Sequence, residues 1–404
     1  MRRWLCSWLF PLASAACAPA STLPPPSAPA EASTEVAEPP VEPDDLEPVL
    51  RKDPALAAML DDAPRRRIQL LVSVPADPGA TPRLQTLAYR ADAEYFYPAS
   101  AVKLAVAVAA LEKLDELRAD AGQRDVGLTT PLRIAEGEGS RRRTLETTLQ
   151  DEITNALVLS DNDSHNRLFE LVGRDELAER LARLGLSKTR LVSFLADTRS
   201  ERAPSAFELV VGPGHSIFVA QRLGFEAPPA FALEGLLVGN EHIDATGRRV
   251  DGPMDFTAHN AMSLRDLHAL LTAIVRPDLA DGPLPRITPA DREALLATLA
   301  KVPSDLRGRR ARAEDDRHKP LRAAVAAALP GHRIRVQGKG GRAYGFLVEN
   351  SYVLDETTGR SCFVTAAIYA NDSEILNDDR YEYRAVGHPF MTSVGRVIAR
   401  EILR

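Results

Sequence analysis

Between Ala101 and Leu114 the sequence reads AVKLAVAVAALEKL, and this run limits what the rest of the chain can do. Its spacing predicts a helix that is apolar on nearly every side. Such a helix is stable only at the centre of a fold, covered by other elements. Ser100 and Lys103 stand at its entrance, a hydroxyl and an amine three residues apart, and positions i and i+3 lie within reach of each other on one helix face. An unpaired lysine is costly to bury. Either Lys103 snorkels to water along its stem, or it does work there.

The covering elements have strand patterns at both ends of the chain. RRIQLLVSV (Arg66–Val74) and LQTLAYRADAEYFY (Leu84–Tyr97) predict two strands after an N-terminal helix in LEPVLRKDPALAAML. HRIRVQGKGG, GFLVENSYVL and CFVTAAIYAN predict a three-stranded meander, and GHPFMTSVGRVIAREIL a terminal helix. Helix patterns dominate from Ser100 to about Leu184. SLRDLHALLTAIV and TPADREALLATLAKV predict further helices, the first capped at Ser263 with Asp266 three residues on. DATG between two short runs suggests a hairpin. The expected class is α/β of the α+β kind, an antiparallel sheet built from N- and C-terminal segments with a helical domain inserted. The expected division has a sheet part at about 49–99 and 331–404 and a helical part at about 100–330.

The first residues are not domain material. Arg2 and Arg3 precede an apolar stretch from Trp4 to about Leu12 and small residues before Cys17, the order of a secretory signal and too short to span a bilayer comfortably. Two cleavage readings stand open. SAAC resembles a lipobox, which makes Cys17 the lipidated first residue of the mature chain; the alternative is ordinary cleavage after small residues. Residues 18–48 hold nine of the thirty prolines and read as a semi-extended linker. Residues 1–50 carry two arginines against seven acids, −5 of the total −6, so residues 49–404 form a near-neutral domain. The expected location is the periplasm or cell envelope, with contact to the membrane only through the lipid. Arginine runs at Ser140–Thr144 and Arg307–Arg317 lie beside acids and read as solvated loops, not a nucleic-acid surface. Of three cysteines, Cys362 alone falls in the domain, in an apolar strand. No Cys/His spacing resembles a zinc site, GKGGRAYG is not placed as a phosphate loop, and no cofactor is implied.

A serine hydroxyl becomes a nucleophile when a nearby base takes its proton. Lys103 serves as that base if desolvation lowers its pKa, and the helix entrance offers free N–H groups to a developing oxyanion. Two further elements carry the same chemistry: Ser160-Asp161-Asn162 after an apolar helix end, and Lys339-Gly340-Gly341 at a strand end. Singly, the first reads as a polar cap and the second as a tight turn.

In this order the three resemble the penicillin-recognising serine hydrolases, specifically the class A β-lactamase-like branch, over most of residues 65–404, including YFYPAS before Ser100 and Asn166 four residues after Asn162. The resemblance implies that Ser100 is acylated with Lys103 as base, and that Ser160 relays a proton to the leaving nitrogen. It implies that Asn162 holds the substrate amide and that Lys339 tunes Ser160 and attracts the substrate carboxylate. Gly341 and Arg342 would line the substrate, with the N–H groups of Ser100 and Arg342 as oxyanion hole. Three departures stand out. Gly340 replaces a hydroxyl residue, for which Arg342 is a substitute. Leu195 falls where a loop glutamate activates the deacylating water, leaving Asp197 and Glu201 as nearby carboxylates. The Ser160–Lys339 stretch is long, through Phe207–Gly252 and Leu284–Pro330, which reshapes the cleft. His165, His259, His268 and His388 read as structural, and NDDRYEYR (Asn377–Arg384) as a solvated turn.

The expected function is a cell-envelope serine hydrolase acting on a small molecule or peptidoglycan-derived substrate, a β-lactam or a D-alanyl peptide, amide or ester, with efficient β-lactam turnover not expected. The competing reading is a binding lipoprotein that retains the fold, non-catalytic or acylated without turnover.

Overall fold

The structure, a computed structural model, describes residues 44–76, 83–120, 126–137, 142–196, 205–219 and 233–404. The signal segment, Cys17 and most of the linker lie outside the described residues. Within the stretch read as linker, Asp44–Asp45 pairs with Leu87–Ala88 at the sheet edge, and Glu47–Leu50 is a helical turn.

Seven strands form the main sheet, in the order Asp44–Asp45, Leu84–Tyr89, Gln69–Pro75, Ser361–Tyr369, Phe346–Asp355, Ile334–Gly338, with Gly341–Ala343 also paired to Phe346–Asp355. All pairings are antiparallel except the edge pair of Asp44–Asp45. The N-terminal strand meets the C-terminal part through Val72 opposite Val364, as the pattern at both chain ends requires. Ser361–Tyr369 is buried at all nine positions, because side chains alternate between two covered faces. Phe363 and Ala367 point into the cluster that holds the central helix. Cys362, Val364, Ala366 and Ile368 point into a second cluster, with the helix Pro320–Ala328 and the C-terminal helix His388–Val397.

The alanine-rich run is a 3-10 turn, Ala99–Val102, continued by an α-helix, Lys103–Asp120. Residues 101–112 are all buried, so the helix is the centre of the molecule. Several boundaries differ from expectation. The N-terminal helix is two, Glu47–Leu50 and Pro54–Leu60, because the Asp53 carboxylate accepts from the N–H groups of Ala55 and Leu56 and restarts the helix at Pro54. The second strand stops at Tyr89, and Arg90, with positive φ, turns the chain away. The expected helical domain contains a four-stranded antiparallel sheet, Arg143–Thr148, Pro131–Glu136, Ala206–Gly212 and His215–Val219. The DATG hairpin is present, pairing Glu241–Ile243 with Arg249–Asp251. Ser263 caps its helix from Asp266 N as expected, but the Asp266 carboxylate accepts from Lys188 N and Thr189 Oγ1 instead of closing a box. Among the described residues no helix is long and apolar enough to cross a membrane.

Candidate active site

Ser100 sits one residue before a fully buried stretch and is itself half-buried. Ala99 holds a positive φ of 48°, the left-handed region that costs a non-glycine residue about 1–2 kcal/mol. That kink lets the chain leave the aromatic cluster of Tyr95, Tyr97, Phe256 and Tyr344 and enter the 3-10 turn with Ser100 facing the cleft.

Lys103 is 0 % exposed. Its Nζ donates to Ser160 O at 2.5 Å, to Asn162 Oδ1 at 2.7 Å and, more distantly, to Ser160 Oγ at 3.4 Å. Burial pushes its pKa well below that of a free lysine, and the charge of Lys339 adds to the effect while Asp161 opposes it. Burial thus favours the neutral form of the Lys103 amine.

Ser160 ends the helix Leu149–Val158 and also has a left-handed φ, 56°. The Asp161 carboxylate accepts from Ser164 N at 2.7 Å and starts the next helix at Asn162. That junction turns Ser160 Oγ toward Lys339, whose Nζ lies 3.0 Å away and also donates to Gly340 O at 2.7 Å. Lys339 is 3 % exposed, and burial lowers its pKa to about 7 against the pull of Glu349. Two buried amines therefore meet one serine hydroxyl.

The two glycines after Lys339 are fixed by their neighbours. A Cβ on Gly341 would lie 2.5 Å from Ser100 N and 2.7 Å from Ala101 N, so the strand edge lies directly against the nucleophile turn. A Cβ on Gly340 would lie 2.6 Å from Val348 O, which accounts for the missing hydroxyl residue. Arg342 is half-buried, with its guanidinium 5.4 Å above the Tyr383 ring.

Leu195 is 6 % exposed and lines the cleft of about 570 Å³ that also reaches Ser100 and Asn162. Its backbone is clamped by Asn166, which accepts from Leu195 N at 2.9 Å and donates to Leu195 O at 3.1 Å. Asn260 fixes the loop upstream by accepting from Val192 N and Ser193 N. The loop thus presents an apolar side chain to the cleft, where the resemblance implies a water-activating carboxylate. Asp197 and Glu201 lie outside the described residues.

Sequence reasoning missed part of the cleft wall. Asn377, Asp379, Tyr381, Tyr383 and Arg384, expected as a solvated turn, line it, and so does Arg317 from the run expected as a solvated loop. His318 joins Ser160 and Lys339 in an adjoining space of about 240 Å³, with its pKa lowered to about 4 by burial and by the charges of Lys339 and Arg342. The long Leu284–Pro330 segment delivers both residues. Among the other histidines, His268 is buried between Ser73 Oγ and Thr365 Oγ1 and His259 stacks in the aromatic cluster. His165 is enclosed with neither ring nitrogen hydrogen-bonded.

Comparison with known proteins gives the family and the fold. The family model described as "Beta-lactamase enzyme family" matches residues 80–399. TLA-3 extended-spectrum beta-lactamase shares the fold at TM-score 0.50 and 12% identity, over 86% of this chain and 98% of that one. A beta-lactamase from Desulfarculus baarsii does so at TM-score 0.50 and 17% identity, over 88% and 97%. No curated protein matches the chain.

Proposed function

The chain belongs to the β-lactamase enzyme family, and from that premise we propose that it is a serine hydrolase acylated at Ser100. One observation carries the reading: two buried amines, both with pKa values pushed down by desolvation, converge on Ser160 beside Ser100. A binding role has no use for that cost.

In the proposed reaction Ser100 Oγ attacks the carbonyl of a lactam, amide or ester, and its proton passes to Lys103 Nζ. The backbone N–H groups of Ser100 and Arg342 take the oxyanion. The leaving nitrogen, or the alkoxide oxygen of an ester, breaks away and receives a proton through Ser160, whose hydroxyl is replenished from the Lys103 and Lys339 amines that contact it. Asn162 holds the acyl amide and Lys339 draws the substrate carboxylate. Hydrolysis of the acyl-enzyme then requires an activated water, and the apolar Leu195 supports a slow second step. The substrate class is β-lactams or D-alanyl peptide- and ester-like compounds. On the strength of the N-terminal sequence alone, the proposal extends to export and a tether at Cys17.

Mass spectrometry of the folded unit with a penicillin over time tests this. The expected result is one adduct that persists and is absent in Ser100→Ala. A transient adduct with hydrolysed drug replaces slow deacylation by true turnover. No adduct at any time rules out penicillin recognition and leaves an esterase or peptidase of other specificity, or the binding reading.

A further inference from the structure

The cleft is charged beyond what a single substrate carboxylate needs. It divides at Ser100 into two lobes. The leaving-group lobe contains Ser160, Lys339 and His318. The acyl lobe contains Asn162, Leu195, Tyr383 and Arg384. Arg317 and Arg342 border both. Lys339 with Arg342 suffices for the carboxylate beside the scissile bond, and Arg384 belongs to the acyl lobe alone.

Among the described residues none of these three guanidiniums makes an ion pair or a hydrogen bond, unlike Arg66, Arg180 and Arg396 elsewhere on the molecule. Arg342 has five donors and no acceptor; its one contact is the face of Tyr383. Burial and the neighbouring Arg317 charge push its pKa down. His388, at the start of the C-terminal helix, feels Arg342, Arg317 and Arg384 together, and its pKa is lowered by burial and by those charges, against Asp316. Three like charges therefore border one lobe against a single carboxylate among the described residues, Asp379, and an anion there offsets the remaining excess. The acyl lobe is also the larger of the two and is walled by Tyr97, Tyr344, Tyr381 and Tyr383, flat surfaces suited to the organic part of such a group.

We propose, resting on the acyl-serine reading, that the acyl half of the substrate carries its own carboxylate, held by Arg384 with Arg317, while Arg342 and Lys339 take the carboxylate beside the scissile bond. The preferred substrates are then dianions with a carboxylate on each side of the scissile bond, such as acyl donors built on a dicarboxylic amino acid.

Two measurements distinguish failure of this proposal from failure of that reading. Ser100→Ala protein, which cannot be acylated, is titrated calorimetrically with benzylpenicillin and with its α-carboxy derivative, which differ by one acyl-side carboxylate. The dianion binds about tenfold more tightly, as one charge-assisted contact provides. The advantage is lost in Ser100→Ala/Arg384→Gln and partly restored by Arg384→Lys. Equal affinities overturn the second subsite and leave acylation at Ser100 standing. If neither penicillin binds, the lactam reading fails and glutarate decides the subsite. At constant ionic strength glutarate raises the melting temperature of the wild-type protein and not of Arg384→Gln; no such difference overturns the proposal.

Discussion

Lys103 and Lys339 are the two residues whose chemistry depends most on being out of water. Replacing Lys103 by Met keeps the volume and removes the base. Acylation by a penicillin is expected to slow by about 10²–10⁴-fold, while cooperative melting is retained, which intact-protein mass spectrometry and calorimetry check together. Lys339 gives a prediction in pH. Its folded pKa, about 7, lies below the ordinary 10.5, so between those values the unfolded chain binds the extra proton and stability rises with pH. Denaturant unfolding followed from about pH 7 toward 10.5 should show a steeper rise in the wild-type protein than in Lys339→Met. Parallel curves would mean that Lys339 is not desolvated. Both lysines were visible as residues in the sequence, but their burial was not: an amine in an apolar run reads equally as a snorkelling side chain until the acceptors Ser160 O and Asn162 Oδ1 are seen.

At the scale of elements, the loop before Ala196 governs the second step of the proposed reaction. Asn166 and Asn260 hold its backbone in place, so a carboxylate at position 195 inherits a fixed position at the cleft. Leu195→Glu is expected to shorten the lifetime of the acyl-Ser100 adduct by about 10²-fold, the low end for a positioned general base, without changing the rate at which the adduct forms. An unchanged lifetime would show that water is kept out by the wall opposite. The motifs that carry the site were legible because each marks the end of an element: a helix entrance at Ser100, a helix stop at Ser160, a strand end at Lys339. The meander was legible too, since runs such as CFVTAAIYA have the composition of a strand buried on both faces. The hairpin strands Pro131–Glu136 and Arg143–Thr148 were not. Their outward positions carry Arg133 and Glu146, a charged pair across the strands, and TLETTL spaces its leucines as a helix does. Nor was the Asn377–Arg384 wall legible, because a cleft rim made of polar and tyrosine side chains has no apolar period to read.

The whole molecule is organised by the pairing of its two ends. Gln69–Pro75 is completed on one side only by Ser361–Tyr369, and the helix that presents Ser100 packs on the face those strands share with Phe346–Asp355. A chain ending at Arg360 loses the central strand, and with it the partners of Val72 and of Tyr352. It is expected to show no cooperative unfolding transition and no penicillin adduct; a folded, acylable product of that length would refute this account of the core. The same pairing sets a clock on the protein's birth. Ser100 leaves the ribosome well before Ser361–Tyr369, the strand that completes the support of its helix. Until that strand is made, a serine that acts as proposed stays unarmed, and its competence waits on the joining of two distant stretches of chain.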